Sequence, residues 1–294
     1  MDDQLQEILK RVRRLELRAR GRVREELAGQ YHSSFRGQGI DFAEHRAYLP
    51  GDEIRNIDWN VTARMQEPYI RTFTEERELL VYLLVDVSPS TAFGSIRMSK
   101  RELAAEVAAT LAFSALRNND KVGLILFSHD VEKMIPVAKG RPHVLRLLRE
   151  ILYSPGKPGV TRISQALESL KQAVPRRALV FLISDMAGED FSETLKPLAR
   201  KHDVIAISLR DPAEDLLPDV GLVCLEDPET GESVLVDSSD ASLRSALESA
   251  SKSWRTELDS KFALAGCAHL AVSTDSDYLP GLNALLRRRS RHPH

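Results

Sequence analysis

With 294 residues, 43% of them hydrophobic and 29% charged, the chain has a globular composition and room for one large α/β domain with an appendage, or for two small domains. Its 41 Lys and Arg against 43 Asp and Glu leave a net charge of −2, which excludes a polyanionic partner for the molecule as a whole. The two cysteines, Cys224 and Cys267, both sit in apolar runs; they exclude a disulfide framework and read as buried thiols in a reducing compartment. No apolar stretch follows Met1-Asp2-Asp3-Gln4, and the longest uninterrupted apolar run, Leu79 to Val85, is far too short to span a membrane, so a cytoplasmic protein is expected.

In chain order, residues 4–28 predict a charged helix, with Leu5, Ile8, Leu9, Val12 and Leu15 at helical spacing. Lys10 to Arg24 is basic except for Glu16, as is the tail Arg287 to Arg291; each is read as a solvated helix face, with nucleic acid or acidic lipid as the alternative. Residues 29–78 are punctuated by Gly37, Gly39, Pro50, Gly51 and Pro68, and predict turns and short strands. The mixed charges of Arg46 to Arg77 suit a salt-bridged cap with aromatics packed on the main domain better than a phosphate-binding surface.

From residue 79 the pattern becomes regular. Leu79 to Val85 is an unbroken apolar strand, as expected where helices cover both faces of a sheet. Ser99-Lys-Arg-Glu102 is a capping box that opens a helix to about Leu116. Strands are expected at Val122 to Phe127, Val131 to Val137, Ala178 to Ser184, Val204 to Leu209 and His269 to Val272. Helices are expected from Pro142 to Leu152, Ile163 to Ala173, Phe191 to Arg200, Ala241 to Ala265 and Tyr278 to Arg289. Asp227-Pro-Glu-Thr-Gly231, between two short apolar runs, signals a hairpin. This alternation predicts an α/β fold with a doubly wound, mostly parallel sheet. The expected division is a helix and β/turn-rich cap over 1–78, and a main domain over 79–294 with a hairpin insertion near 220–237.

In such a sheet, ligands bind in the crevice at the carboxyl ends of the strands. Asp86, Ser88 and Ser90 follow the first buried strand at a spacing of two, Asp185 ends the strand Ala178 to Ser184, and Thr161 lies on the loop entering a helix. Two carboxylates and three hydroxyls from three loops offer only oxygen, which selects a hard cation, Mg²⁺ or Mn²⁺. Such a set leaves coordination open to an incoming Asp or Glu of a partner. Taken alone, the Asp-x-Ser-x-Ser string reads equally as turn and cap residues.

The string Asp86-Val-Ser88-Pro-Ser90, with Thr161 and Asp185, resembles the metal-ion-dependent adhesion site of the von Willebrand factor A domains. Thr91 stands where that family often has Met, and Val160 where it often has Gly; neither change removes a ligand. A second resemblance runs through nearly the whole chain, to the bacterial family called domain of unknown function 58. It rests on Gly37-Gln-Gly-Ile-Asp-Phe42, Arg46-Ala-Tyr48, Pro50-Gly-Asp52, Arg55-Asn-Ile-Asp-Trp59, Ala63-Arg64, Glu76-Arg77-Glu78, Val122 to Phe127, Ile183-Ser-Asp185, His202-Asp203, Asp211-Pro212 and Asp227 to Gly231. That resemblance implies a partner relationship with MoxR-type AAA ATPases and a role in assembling or activating other proteins.

Other constellations are weaker. Gly37-Gln-Gly39 lacks the preceding strand and third glycine of a dinucleotide loop, and Gly94 to Arg101 lacks the second glycine and the Ser/Thr of a P-loop. Ser88 lacks a nucleophile elbow. The expected function is therefore a non-enzymatic, divalent-metal-dependent interaction module that engages an acidic side chain of a partner. The alternatives are a metal-dependent phosphohydrolase, which needs a general acid or base that the sequence does not offer beyond the ligands, and nucleic-acid binding through the basic N-terminal helix.

Overall fold

The computed structural model describes residues 2–23, 29–31, 34–35, 41–74 and 78–291. Arg24, Gly37, Gly39, Glu76 and Arg77, used in the reading above, lie outside the described residues. The continuous apolar run forms β3 (Leu80–Asp86), and β4 (Lys121–Phe127), β5 (Val131–Ala138), β6 (Leu179–Ser184), β7 (Asp203–Arg210) and β10 (Ala268–Ser273) join it in one sheet. The six strands run in the order β10-β7-β6-β3-β4-β5. All neighbours are parallel except β4 and β5, whose antiparallel register is broken in two places around Pro136 and the turn. The expected doubly wound, mostly parallel sheet is what forms.

Strand β3 shows why it is apolar at every position. Val81, Leu83 and Val85 pack into one core layer with α1 (Asp2–Arg22), α3 (Lys100–Arg117), α4 (Arg141–Tyr153) and α9 (Leu279–Arg291). Tyr82 and Leu84 face the other layer, with α5 (Ile163–Ala173), α6 (Ser192–Lys201) and α8 (Ala241–Leu264). Each buried Leu or Val contributes roughly 1.5–3 kcal/mol relative to an exposed one. Helix α3 is buried on nearly all sides because it lies between the sheet and α1 and α4. Its alanines at 104, 105, 108, 109, 112 and 115 suit that crowding.

Val12, Leu15 and Ala19 of α1 belong to the first core layer, as do Tyr31 and Phe35, the latter edge-on to Phe181 at 6.2 Å. The basic side chains of α1 lie on its exposed face, as expected, and several are paired with acids. Arg11 pairs with Glu102 at 3.1 Å, Arg18 with Glu106 at 2.6 Å, and Arg20 with Glu16 at 3.2 Å.

Residues 41–74 hold β1 (Asp41–Ala47) antiparallel to β2 (Tyr69–Thr74), and a short helix, α2 (Trp59–Met65), that the turn-rich pattern did not predict. Seven residues are too few to display a helical period; Asp58 starts the helix by accepting from the N–H groups of Asn60 and Val61. The expected internal pairing is present: Arg46 grips Asp52 through both guanidinium nitrogens at 2.9 and 2.8 Å. The expected packing of aromatics is not general, since Trp59 is 67% exposed. Past α7 (Pro212–Asp215), β8 (Leu222–Glu226) and β9 (Ser233–Asp237) pair, among the described residues, only with each other. That isolation corrects one expectation: Cys267 is buried, but Cys224, on β8, is exposed.

Candidate functional site

The carboxyl ends of β3 and β6 and the loop before α5 meet above the sheet. Asp86, Ser88 and Thr161 are fully buried, and Ser90 and Asp185 nearly so. Asp86 is held from both sides: Ser88 N–H donates to Oδ1 at 2.8 Å, and Ser184 Oγ donates to Oδ2 at 2.6 Å. Ser88 Oγ lies 2.9 Å from Ser90 Oγ, and Ser90 Oγ lies 3.0 Å from Asp185 Oδ2. Two close approaches build this geometry. Gly156 (φ +62) puts its α-carbon where a Cβ would stand 1.8 Å from the Val87 carbonyl oxygen. Gly188 (φ +122) lets the loop after Asp185 lie on the Thr161 carbonyl, where a Cβ would come within 2.4 Å. Between them Met186 takes a left-handed φ of 62 although it is buried, a conformation that marks local strain.

All five expected residues are thus brought to one place, but Thr161 does not reach the others directly. Its Oγ donates to Glu229 Oε1 at 2.6 Å and its N–H to Glu229 Oε2 at 3.0 Å; Ser90 Oγ stands 3.3 Å from the same Oε1. Glu229 comes from the loop between β8 and β9, whose residues announce a turn but not where its tip lands. The structure also adds Lys100, 2% exposed at the start of α3. Its Nζ donates to Asp185 Oδ2 at 2.8 Å and to Glu214. Burial pulls the Lys100 ammonium toward its neutral form, but the Asp185 and Glu214 carboxylates outweigh burial and keep it charged. Next to it, Arg101 donates to the carbonyls of Val87, Ser88 and Ser154 and, at 3.0 Å, to Thr91 Oγ, fastening the backbone of the Asp86–Ser90 loop.

The donor set is all oxygen apart from Lys100. An octahedral ion with bonds of about 2.1 Å needs adjacent ligand oxygens about 3.0 Å apart. The Ser88–Ser90, Ser90–Asp185 and Ser90–Glu229 separations, 2.9, 3.0 and 3.3 Å, meet that spacing. Burial, then the Asp185 carboxylate, push Asp86 upward from the usual carboxylate range against the hydrogen bonds of Ser184 and Ser88. The Lys100 ammonium already faces Asp185 at 2.8 Å. Among the described residues no three His, Cys, Asp or Glu side chains are grouped so as to hold a metal ion.

A strut supports the site from β7. Asp211, fully buried, accepts from Ser95 N–H at 2.9 Å, from Ser95 Oγ, and from Thr274 Oγ at 2.6 Å. Burial alone would raise its pKa, but these bonds outweigh burial and hold it low. A separate trio has the bond order of a catalytic triad: Ser208 Oγ to His269 Nε2 at 2.9 Å, and His269 Nδ1 to Asp259 Oδ1 at 2.6 Å. Ser208 is fully buried on β7, so the trio clips β7, β10 and α8 together and offers no reachable nucleophile.

The family described as "Protein of unknown function DUF58" matches residues 44–257. An uncharacterized protein of Mycobacterium tuberculosis, Rv1480, is 32% identical over 283 residues, covering 95% of this chain and 89% of its own length. Uncharacterized protein YeaD of Bacillus subtilis is 26% identical over 161 residues, 55% of this chain and 37% of its own. Among solved structures, the conserved hypothetical protein BatB from Bacteroides thetaiotaomicron is similar with a TM-score of 0.51 at 18% identity, over 72% of this chain and 99% of that one. The SpRpn10 VWA domain is similar over 72% of this chain and 95% of its own, with a TM-score of 0.39 at 10% identity.

Proposed function

Since the chain belongs to the DUF58 family and folds around a six-stranded, mostly parallel sheet, we propose that it is a von Willebrand factor A-like, divalent-metal-dependent protein-interaction module rather than an enzyme. The observation that carries the reading is the set of oxygens from three loops at the spacing an octahedral ion requires. Asp86, Ser88, Ser90, Thr161 and Asp185 would hold Mg²⁺ or Mn²⁺, directly or through water. When bound, the ion supplies a positive centre that attracts a carboxylate. This chain's own residues do the rest. Ser88 N–H and Ser184 fix the Asp86 oxygens, Lys100 orients Asp185, Arg101 locks the loop, and Thr161 presents an N–H and a hydroxyl to an acidic side chain.

Binding is favoured over catalysis because the charged groups around the site are already committed. Lys100 is tied into two ion pairs and Arg101 into backbone carbonyls. We assign the partner, from the family resemblance, to the MoxR-type AAA ATPases, with an acidic side chain of that ATPase or of a client as the docking group. A cytoplasmic setting is part of the same reading; among the described residues no helix is long and apolar enough to cross a membrane.

The test is a thermal melt. At about a hundredfold excess over its Kd, Mg²⁺ is expected to raise Tm by roughly 5 °C. Asp86→Ala is expected to lose the shift, and binding of the ATPase is expected to fall in EDTA. An unchanged Tm, or an equal shift in Asp86→Ala, defeats the proposal.

A further inference from the structure

The seat for a partner's carboxylate is filled by this chain itself. Glu229 places Oε1 against Thr161 Oγ at 2.6 Å and Ser90 Oγ at 3.3 Å, and Oε2 against Thr161 N–H at 3.0 Å. Its backbone carbonyl also accepts from Gly159 N–H at 3.0 Å. One residue is therefore read through both its side chain and its main chain.

The tip that carries Glu229 is preformed. Asp227 accepts from Glu229 N–H at 2.8 Å and from Thr230 Oγ at 3.0 Å, and Gly231 N–H closes the turn onto the Asp227 carbonyl at 2.8 Å. Gly231 supplies the positive φ, 74, that the turn needs. Below the tip the arm is bare: among the described residues β8 and β9 have no other strand beside them, and Leu222, Val234 and Leu235 are 60–70% exposed. The base is fastened. Buried Ser238 donates its N–H and Oγ to the Gly221 carbonyl at 2.8 and 2.6 Å, and Val220 N–H donates to Ser238 Oγ at 3.0 Å. Gly221 has a φ of +83 and open space where a Cβ would point. A fixed base, an exposed two-stranded stem and a tip held by a few polar contacts make an arm whose displacement would leave the core intact. An isolated two-stranded hairpin adds little stability of its own.

We propose that Glu229 is an internal ligand: the β8–β9 arm occupies the seat that a partner's acidic turn takes, and docking displaces the arm. This rests on the proposed function in one respect, that the site receives a partner's carboxylate. It adds the shape of the ligand, a Glu or Asp on an exposed turn with its carbonyl turned toward Gly159, and the regulation of the seat. Because the internal ligand competes at the high effective concentration of a tethered group, the affinity seen by a partner is the intrinsic affinity multiplied by the fraction of chains whose arm is open.

The experiment uses the full chain and two synthetic peptides spanning residues 222–237, one with Glu at 229 and one with Gln, titrated by fluorescence anisotropy under reducing conditions with Mg²⁺ and with EDTA. The Glu peptide is expected to bind Glu229→Ala at least about tenfold tighter than wild type, and the Gln peptide to lose most of that binding. Glu229→Gln, which keeps the side-chain shape, is expected to fall between the two chains. Equal affinity of the Glu peptide for all three chains, or no binding to Glu229→Ala, overturns the proposal. The Mg²⁺ melt on the same samples separates the two ideas. A Tm shift without peptide discrimination sinks the internal ligand alone; discrimination that is the same in EDTA and Mg²⁺, with no Tm shift, sinks the metal alone.

Discussion

At the scale of single residues, two buried polar side chains have opposite fates. Lys100, flanked by charged residues in the chain, has the look of a solvent-facing helix start, yet its ammonium is enclosed by Asp185 and Glu214. Nothing local in the sequence distinguishes it from a surface lysine, because its partners come from the ends of two later elements. His202, by contrast, is 1% exposed with no hydrogen-bond partner for either ring nitrogen among the described residues. Burial, followed by the positive charges of Lys201 and Arg177, pushes it down to about 4. Between roughly pH 6.5 and 4 the unfolded chain takes a proton there that the folded chain refuses, so this contribution to stability is full above 6.5 and lost as pH falls through 4. Asp120 works in the opposite direction over an overlapping range, since burial pushes it up to about 6. The prediction is therefore a difference: urea midpoints at pH 7 and pH 4.5 should show wild type losing about 2 kcal/mol relative to His202→Leu. Parallel profiles for the two proteins contradict it.

At the scale of elements, legibility followed burial. The four inner strands of the main sheet, β3, β4, β6 and β7, could be read because strands covered on both faces are nearly uninterrupted apolar runs. The Ser99 capping box was visible and is formed: Ser99 Oγ accepts from Glu102 N–H at 3.2 Å, and Glu102 Oε2 accepts from Ser99 N–H at 3.1 Å. It matters beyond the helix, because this turn delivers Lys100 and Arg101 beneath the site. Ser99→Ala should cost about 1 kcal/mol in urea unfolding, and a loss below a few tenths would mean the cap carries no weight. The site was legible as far as its five strand-end and loop residues. Its missing part, Glu229, depends on where an exposed hairpin lies in space, and turn chemistry fixes the shape of a tip without fixing its destination. The burial of Cys224 was misjudged for the same reason, since its strand looks like a core strand but pairs with one neighbour only.

At the scale of the whole molecule, the near-neutral net charge and the pairing of the α1 cations argue together. Arg11, Arg18 and Arg20 answer Glu102, Glu106 and Glu16, and Arg141 also binds Glu16. Duplex DNA should therefore bind no better than about 10⁻⁴ M at physiological salt, the weak end of non-specific binding. Micromolar binding with a steep salt slope in an anisotropy titration would show instead that these pairs open for phosphate. The sheet's rim has a consequence of its own. Strand β5, the edge beside β4, carries Glu132, Lys133 and Pro136, and its register is broken twice. Charges, a residue with no N–H to donate and an irregular ladder make that edge a poor template for strand addition. The fold thereby resists self-association along this edge, and a visiting chain that lengthens the sheet by one strand finds no footing there.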